Sequence, residues 1–203
     1  PGAEPASMTR RTLVLGVVLL CLSAPAALVL AHAAQHYFAT RWSGTVLSGG
    51  REREYILHVP PGHDRSKSSA LVISLHGGMN WPASQMRISQ WNRVADEHGF
   101  LVAYPAGGGG GPRVWRIPGG RGPSRTSDVA FISDLIDKLA AEHNVDPARI
   151  YVNGLSQGGG MSFALSCELP DRVAAVGLVA AAHFLPFEWC GDRRPKPMIA
   201  FHG

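Results

Sequence analysis

Residues Arg53 to Val59, REYILHV, alternate polar and apolar positions, the period of a half-buried strand, and Pro60-Pro61-Gly62 ends the run. Residues Ala70 to Leu75, ALVISL, are almost continuously apolar and of strand length, which predicts a strand covered on both faces, as in a parallel sheet. From Ser84 to His98 the apolar positions Met86, Ile88, Trp91, Val94 and Ala95 fall close to helical spacing, and Gly99 stops that helix. Phe100 to Tyr104 predicts another buried strand, closed by Pro105. Ser127-Asp128 then opens a helix with Val129, Ile132, Leu135, Ile136 and Leu139 on one face, and Asp128 is read as its N-cap. Arg149 to Asn153 is a strand, Gln157 to Glu168 a helix, Val173 to Ala180 a strand, and Pro197 to His202 starts one more. Strands alternating with helices predict one α/β domain built on a mostly parallel sheet flanked by helices. Between two of these elements, residues 105–126 hold GGGGGP and VWRIPGGRGP, a stretch of about twenty residues with no regular pattern, longer than most connections.

One junction carries chemistry. IYVNGLSQGGGM, residues 150–161, passes from a buried strand through Gly154-Leu155-Ser156-Gln157-Gly158 into a helix. A five-residue G-x-S-x-G is weak evidence alone, but at a strand-to-helix turn it describes a bend that lifts a serine hydroxyl above the sheet edge. Gly154 and Gly158 are the elbow glycines, placed where a side chain would collide with the neighbouring strand or helix. Ser156 is the candidate nucleophile. His76-Gly77-Gly78, at the end of an upstream strand, predicts a loop whose backbone N–H groups face the same place. Gly78 and Gln157 are the candidate oxyanion donors, through their backbone amides.

Composition narrows the function classes. The chain has 203 residues, 45% hydrophobic and 17% charged, enough for one domain with a real core. Its formal charge of +4 falls to +3 without Arg10, Arg11 and Glu4, too little to argue for nucleic acid. The histidines lack paired spacing with cysteine or carboxylate, so no metal site is expected. The glycine run lacks the Lys-Ser/Thr ending of a nucleotide loop, and no cofactor is expected. Met8-Thr-Arg-Arg followed by the apolar Thr12 to Leu30 and by Ala31-His32-Ala33 has the parts of a signal peptide over residues 1–33, cleaved after Ala33; residues 1–7 lack signal character and fit a misassigned start. An uncleaved membrane anchor is the alternative, since the apolar run is long enough to cross a bilayer. Either reading puts residues 34–203 outside the cytoplasm, and the membrane is met only through that first segment. Cys21 belongs to the leader. Cys167 and Cys190 remain, either as a disulfide or as two buried thiols.

The blocks REYILHVPPG, LVISLHGG, GFLVAYP, the long run from Ser127 to Val176, and PMIAFHG together resemble the polyhydroxybutyrate depolymerase-type esterases, which are similar to secreted feruloyl and acetylxylan esterases. The resemblance runs from about Arg51 to Gly203, and its specificity lies in the long block rather than in the serine motif. It implies an α/β-hydrolase that cleaves carboxylic esters, with a polyester or acylated polysaccharide as substrate and Ser156 forming the acyl-enzyme. It also places Trp115 near the substrate cleft, although an aromatic anchoring the long loop to the core fits the residue equally. The family pattern puts the acid just beyond H-G-x-x-D and the base histidine further on, so both are expected after Gly203, the fold is expected to be incomplete at its C-terminal side, and the chain is read as a fragment, inactive or nearly so by itself. Of the histidines within the chain, His183 is a weak candidate and His202 is read as packed at a strand end like His76. A serine peptidase on the same fold and a non-catalytic binding domain stay open beside the esterase.

Overall fold

The computed structural model describes Ala27 and residues 43–108, 113–117, 127–181, 190 and 196–202. The chain divides after Arg41 into an N-terminal unit and a unit from Trp42 onward, and the description is of the second. The leader segment and His183 lie outside the described residues, apart from Ala27.

Among the described residues seven strands form one sheet: β1 (Gly44–Ser48), β2 (Arg51–His58), β3 (Ser69–Leu75), β4 (Leu101–Pro105), β5 (Val145–Leu155), β6 (Ala175–Val179) and β7 (Met198–Phe201). Their order is β1-β2-β4-β3-β5-β6-β7. From β4 to β7 every pairing is parallel, while β2 runs antiparallel to β4, and β1 antiparallel to β2. The sheet is therefore mixed but mostly parallel. Ser48 and Arg51 pair across Gly49 and Gly50, both at positive φ (55° and 75°), the two-residue turn whose twist suits a hairpin. β3 and β4 are buried along almost their whole length, because helices cover both faces of a parallel sheet.

Among the described residues four helices accompany the sheet: α1 (Pro82–Ser89), α2 (Trp91–His98), α3 (Ser127–His143) and α4 (Gln157–Glu168). The single helix expected over 84–98 is two. Gln90 takes left-handed angles (φ 57°, ψ 17°), and its side-chain amide donates to Arg87 O at 2.6 Å, closing α1. The break lets Trp91 turn its indole N–H to Asn153 Oδ1 at 3.1 Å, while Gln85 of α1 donates to Ser74 Oγ, which donates in turn to the same Asn153 oxygen. α4 is buried from Gly158 to Cys167. A helix with three consecutive glycines in its first turn has low intrinsic stability, so its packing holds it. Cys167 at its end is bridged to Cys190, with Cα atoms 5.0 Å apart. Phe131, Ile132, Leu135, Ile136 and Leu139 of α3 pack with Leu71, Ile73, Leu75, Met161 and Leu165 in the main core.

Candidate active site

The register of the sheet assembles the site. Leu75 of β3 stands opposite Gly154 of β5, so Gly77 and Ser156, each two residues further on, leave the sheet side by side. A Cβ on Gly77 would lie 3.7 Å from Ser156 Cβ, and one on Gly78 would lie 3.6 Å from Gln157 Cβ. Strand C-termini in open parallel sheets are where ligands bind.

Ser156 has φ 53° and ψ −116°, a conformation that residues with a Cβ rarely adopt. Two hydrogen bonds hold the bend: Ser156 N–H donates to Val179 O at 2.8 Å, and Gly160 N–H donates to Ser156 O at 3.1 Å. The side chain is exposed. Around it the backbone is too close for side chains. A Cβ at Gly154 would fall 2.3 Å from Gly158 C and O, and one at Gly158 would fall 2.3 Å from Leu75 O and 2.5 Å from His76 O. Gly159, not singled out from the sequence, is just as confined, with Ala181 Cβ at 2.5 Å. Gln157 begins α4, so its amide belongs to the first turn, where no carbonyl four residues back can accept it.

His76 is fully buried. Gly107 N–H donates to its Nε2 at 3.0 Å, which puts the ring proton on Nδ1, and Nδ1–H donates to Gly77 O at 2.7 Å. Burial, reinforced by the charge of Arg113, pushes its pKa down to about 4. With both nitrogens engaged and the ring neutral, His76 is a fastener for the Gly77–Gly78 loop and is not available as a base. His202, expected to be packed likewise, is exposed, as are the residues of β7 before it, the last strand of the sheet among the described residues. Among the described residues, the Ser156 hydroxyl has no hydrogen bond to a histidine or carboxylate.

Trp115 is buried at 3% exposure. Its indole N–H donates to His76 O at 2.7 Å, and the two rings lie 4.9 Å apart, so it anchors the long loop to the core. Residues 113–117, within a stretch expected to lack structure, are tied on every side. Met79 N–H donates to Arg113 O at 2.8 Å, Val114 bridges Gly108, and Arg116 N–H donates to Asp128 Oδ2 at 2.7 Å. Asp128 therefore does not act as a helix N-cap. It lies within the first turn of α3, fully buried, and its other oxygen meets Arg53 Nη1 at 2.8 Å. Arg53 also donates to Ala106 O at 3.0 Å and lies 4.0 Å over the Phe131 ring. These partners are brought from far apart in the chain, and no local pattern could have shown them.

Residues 53–186 match the family described as Esterase PHB depolymerase. The chain belongs to that esterase family. Among relatives, a bifunctional acetylxylan esterase/xylanase of Neocallimastix patriciarum is 31% identical over 72% of this chain and 21% of its own length. A poly(3-hydroxyalkanoate) depolymerase C of Paucimonas lemoignei is 31% identical over 63% of this chain and 31% of its own. Among solved structures, a thermostable esterase superposes with a TM-score of 0.59 at 24% identity, over 78% of this chain and 45% of that one, which shows the α/β-hydrolase fold. The chain thus spans half or less of each of these PHB-depolymerase-family and fold relatives. Among the described residues no group of three or more histidine, cysteine or carboxylate side chains is placed to hold a metal, and no helix is long and apolar enough to cross a membrane.

Proposed function

We propose that this chain carries the nucleophile and oxyanion hole of a secreted serine esterase. The observation that carries the reading is an exposed Ser156 on a positive-φ bend, directly beside the Gly77–Gly78 backbone. Ser156 Oγ bonds to the ester carbonyl carbon and passes its proton to a general base. The carbonyl oxygen becomes an oxyanion, held by the N–H groups of Gly78 and Gln157. When the tetrahedral intermediate collapses, the C–O bond to the alcohol breaks and the leaving alkoxide takes the proton. Water, activated by the same base, then releases the acid and restores the serine. The family and the depolymerase and acetylxylan esterase relatives support a substrate that is an ester of a polymer, either a hydroxyalkanoate polyester or an acylated polysaccharide. The basic start, apolar run and Ala31-His32-Ala33 support export, with residues 34–203 as the hydrolase portion, and the Cys167–Cys190 bridge fits an oxidising compartment.

The test uses the gene product that contains this chain. Ser156→Ala is expected to abolish hydrolysis of p-nitrophenyl butyrate while thermal unfolding stays within a few degrees of the parent. Hydrolysis that survives the substitution removes Ser156 from the mechanism, and preferential cleavage of a peptide anilide by the parent would make it a peptidase.

A further inference from the structure

Resting on the oxyanion hole proposed above, we infer that the side chain of Gln157 is a positioning residue that fixes the distance between the two oxyanion donors. The carboxamide grips one residue at both its polar groups. Its Oε1 accepts from Trp115 N–H at 2.9 Å, and its Nε2 donates to Trp115 O at 3.2 Å. A carboxamide is the neutral side-chain group that presents a donor and an acceptor side by side, as a residue's own N–H and C=O require. Trp115 is in turn fastened to the other half of the hole, because its indole N–H donates to His76 O, the carbonyl just ahead of Gly77. Two residues earlier, Arg113 O receives the N–H of Met79, just after Gly78. Residues 113–117 therefore form a bracket. Arg113 and the Trp115 indole hold the Gly77–Gly78 loop from both sides, and Gln157 clamps the Trp115 backbone to the start of α4, where the second donor is.

The bracket also decides which amides are left for an oxyanion. Met79 N–H is spent on Arg113 O, so a donor from this loop has to come from the glycines ahead of it, of which Gly78 is the one proposed above. Met79 itself has φ 56°, the left-handed region, an arrangement that the bond to Arg113 helps to hold. Without the clamp, β3 and β5 still carry both donors to the sheet edge, but among the described residues no other side-chain hydrogen bond ties the loop after β3 to the turn after β5. Displacement of a donor by about 1 Å is enough to cost about a hundredfold in rate.

The experiment compares Gln157→Ala, Gln157→Met and Gln157→Glu in the gene product that contains this chain, with Ser156→Ala alongside. Alanine and methionine remove both hydrogen bonds, and methionine keeps the length of the side chain. Both are expected to lower kcat for p-nitrophenyl butyrate by about tenfold to a hundredfold with KM changed less than about threefold, the signature of a donor needed chiefly in the transition state. Glutamate keeps the acceptor and, once protonated, recovers the donor. Its rate relative to the parent is expected to rise as pH falls through the carboxyl's titration, while the alanine-to-parent ratio stays flat. If alanine destabilises the fold, the methionine variant decides. A kcat within threefold of the parent in a folded Ala or Met variant overturns the inference, as does a fall confined to KM. Loss of activity in Ser156→Ala with full activity in the Gln157 variants would overturn this inference alone, whereas an active Ser156→Ala would overturn the esterase reading beneath it.

Discussion

The buried His76 predicts a specific acid sensitivity. Its ordinary pKa of 6.5 falls to about 4 in the folded chain, first through burial and then through Arg113. The folded state thus binds the proton less readily than the unfolded chain does. Stability from this group is complete above pH 6.5, is lost as pH falls from there toward 4, and changes little below that. Between pH 7.5 and 4.5 the linkage from a shift of this size amounts to about 2 to 3 kcal/mol. That is a large share of the roughly 5–15 kcal/mol that holds a typical domain. Denaturant unfolding followed by tryptophan fluorescence at the two pH values measures the loss in the parent. His76→Asn removes the titrating group, so although its absolute stability is lower, its loss between the two pH values is expected to be smaller by that amount. Equal losses in the two proteins would refute the reasoning, and so would a His76 imidazole that titrates by NMR near 6.5 in the folded protein.

Two further substitutions test the scaffold under the site. Gly154→Ala puts a Cβ 2.3 Å from the Gly158 backbone, where no side chain can move aside, and is expected to cost about 3 kcal/mol, read as a fall in Tm; a loss below about 1 kcal/mol would show that the bend can relax. Arg53→Met strands the fully buried Asp128 carboxylate and is expected to cost about 3–5 kcal/mol in chemical unfolding, with part recovered on adding Asp128→Asn; a single variant as stable as the parent would mean that Asp128 is neutralised without Arg53.

How legible the molecule is depends on the range of the interaction. The strands β2 to β7 and the bend at Ser156 come from local pattern, because burial on one or both faces leaves its period in the sequence. The β1–β2 hairpin also has a local signature: Thr45-Val46-Leu47 lies just before Ser48 and the Gly49-Gly50 turn, a pairing signal that is easily passed over ahead of the stronger REYILHV run. The break at Gln90 is different. Met86, Ile88, Trp91 and Val94 keep near-helical spacing across it with no glycine or proline, and what the break serves is an indole reaching Asn153 on another element. Trp115, Asp128 and the side chain of Gln157 are hidden for the same reason. Each finds its partner across the fold, so spacing along the chain holds no trace of it.

The backbone at Ser156 also restricts which atom can fill the role proposed for its hydroxyl. At a φ of 53° an unbranched side chain is tolerated at some strain, whereas a second substituent on Cβ crowds the adjoining peptide. Threonine, whose hydroxyl is chemically close to that of serine, is thereby disfavoured, while a cysteine thiol meets no such obstacle. The curvature of the main chain, rather than the reactivity of the oxygen, screens the alternatives at this position.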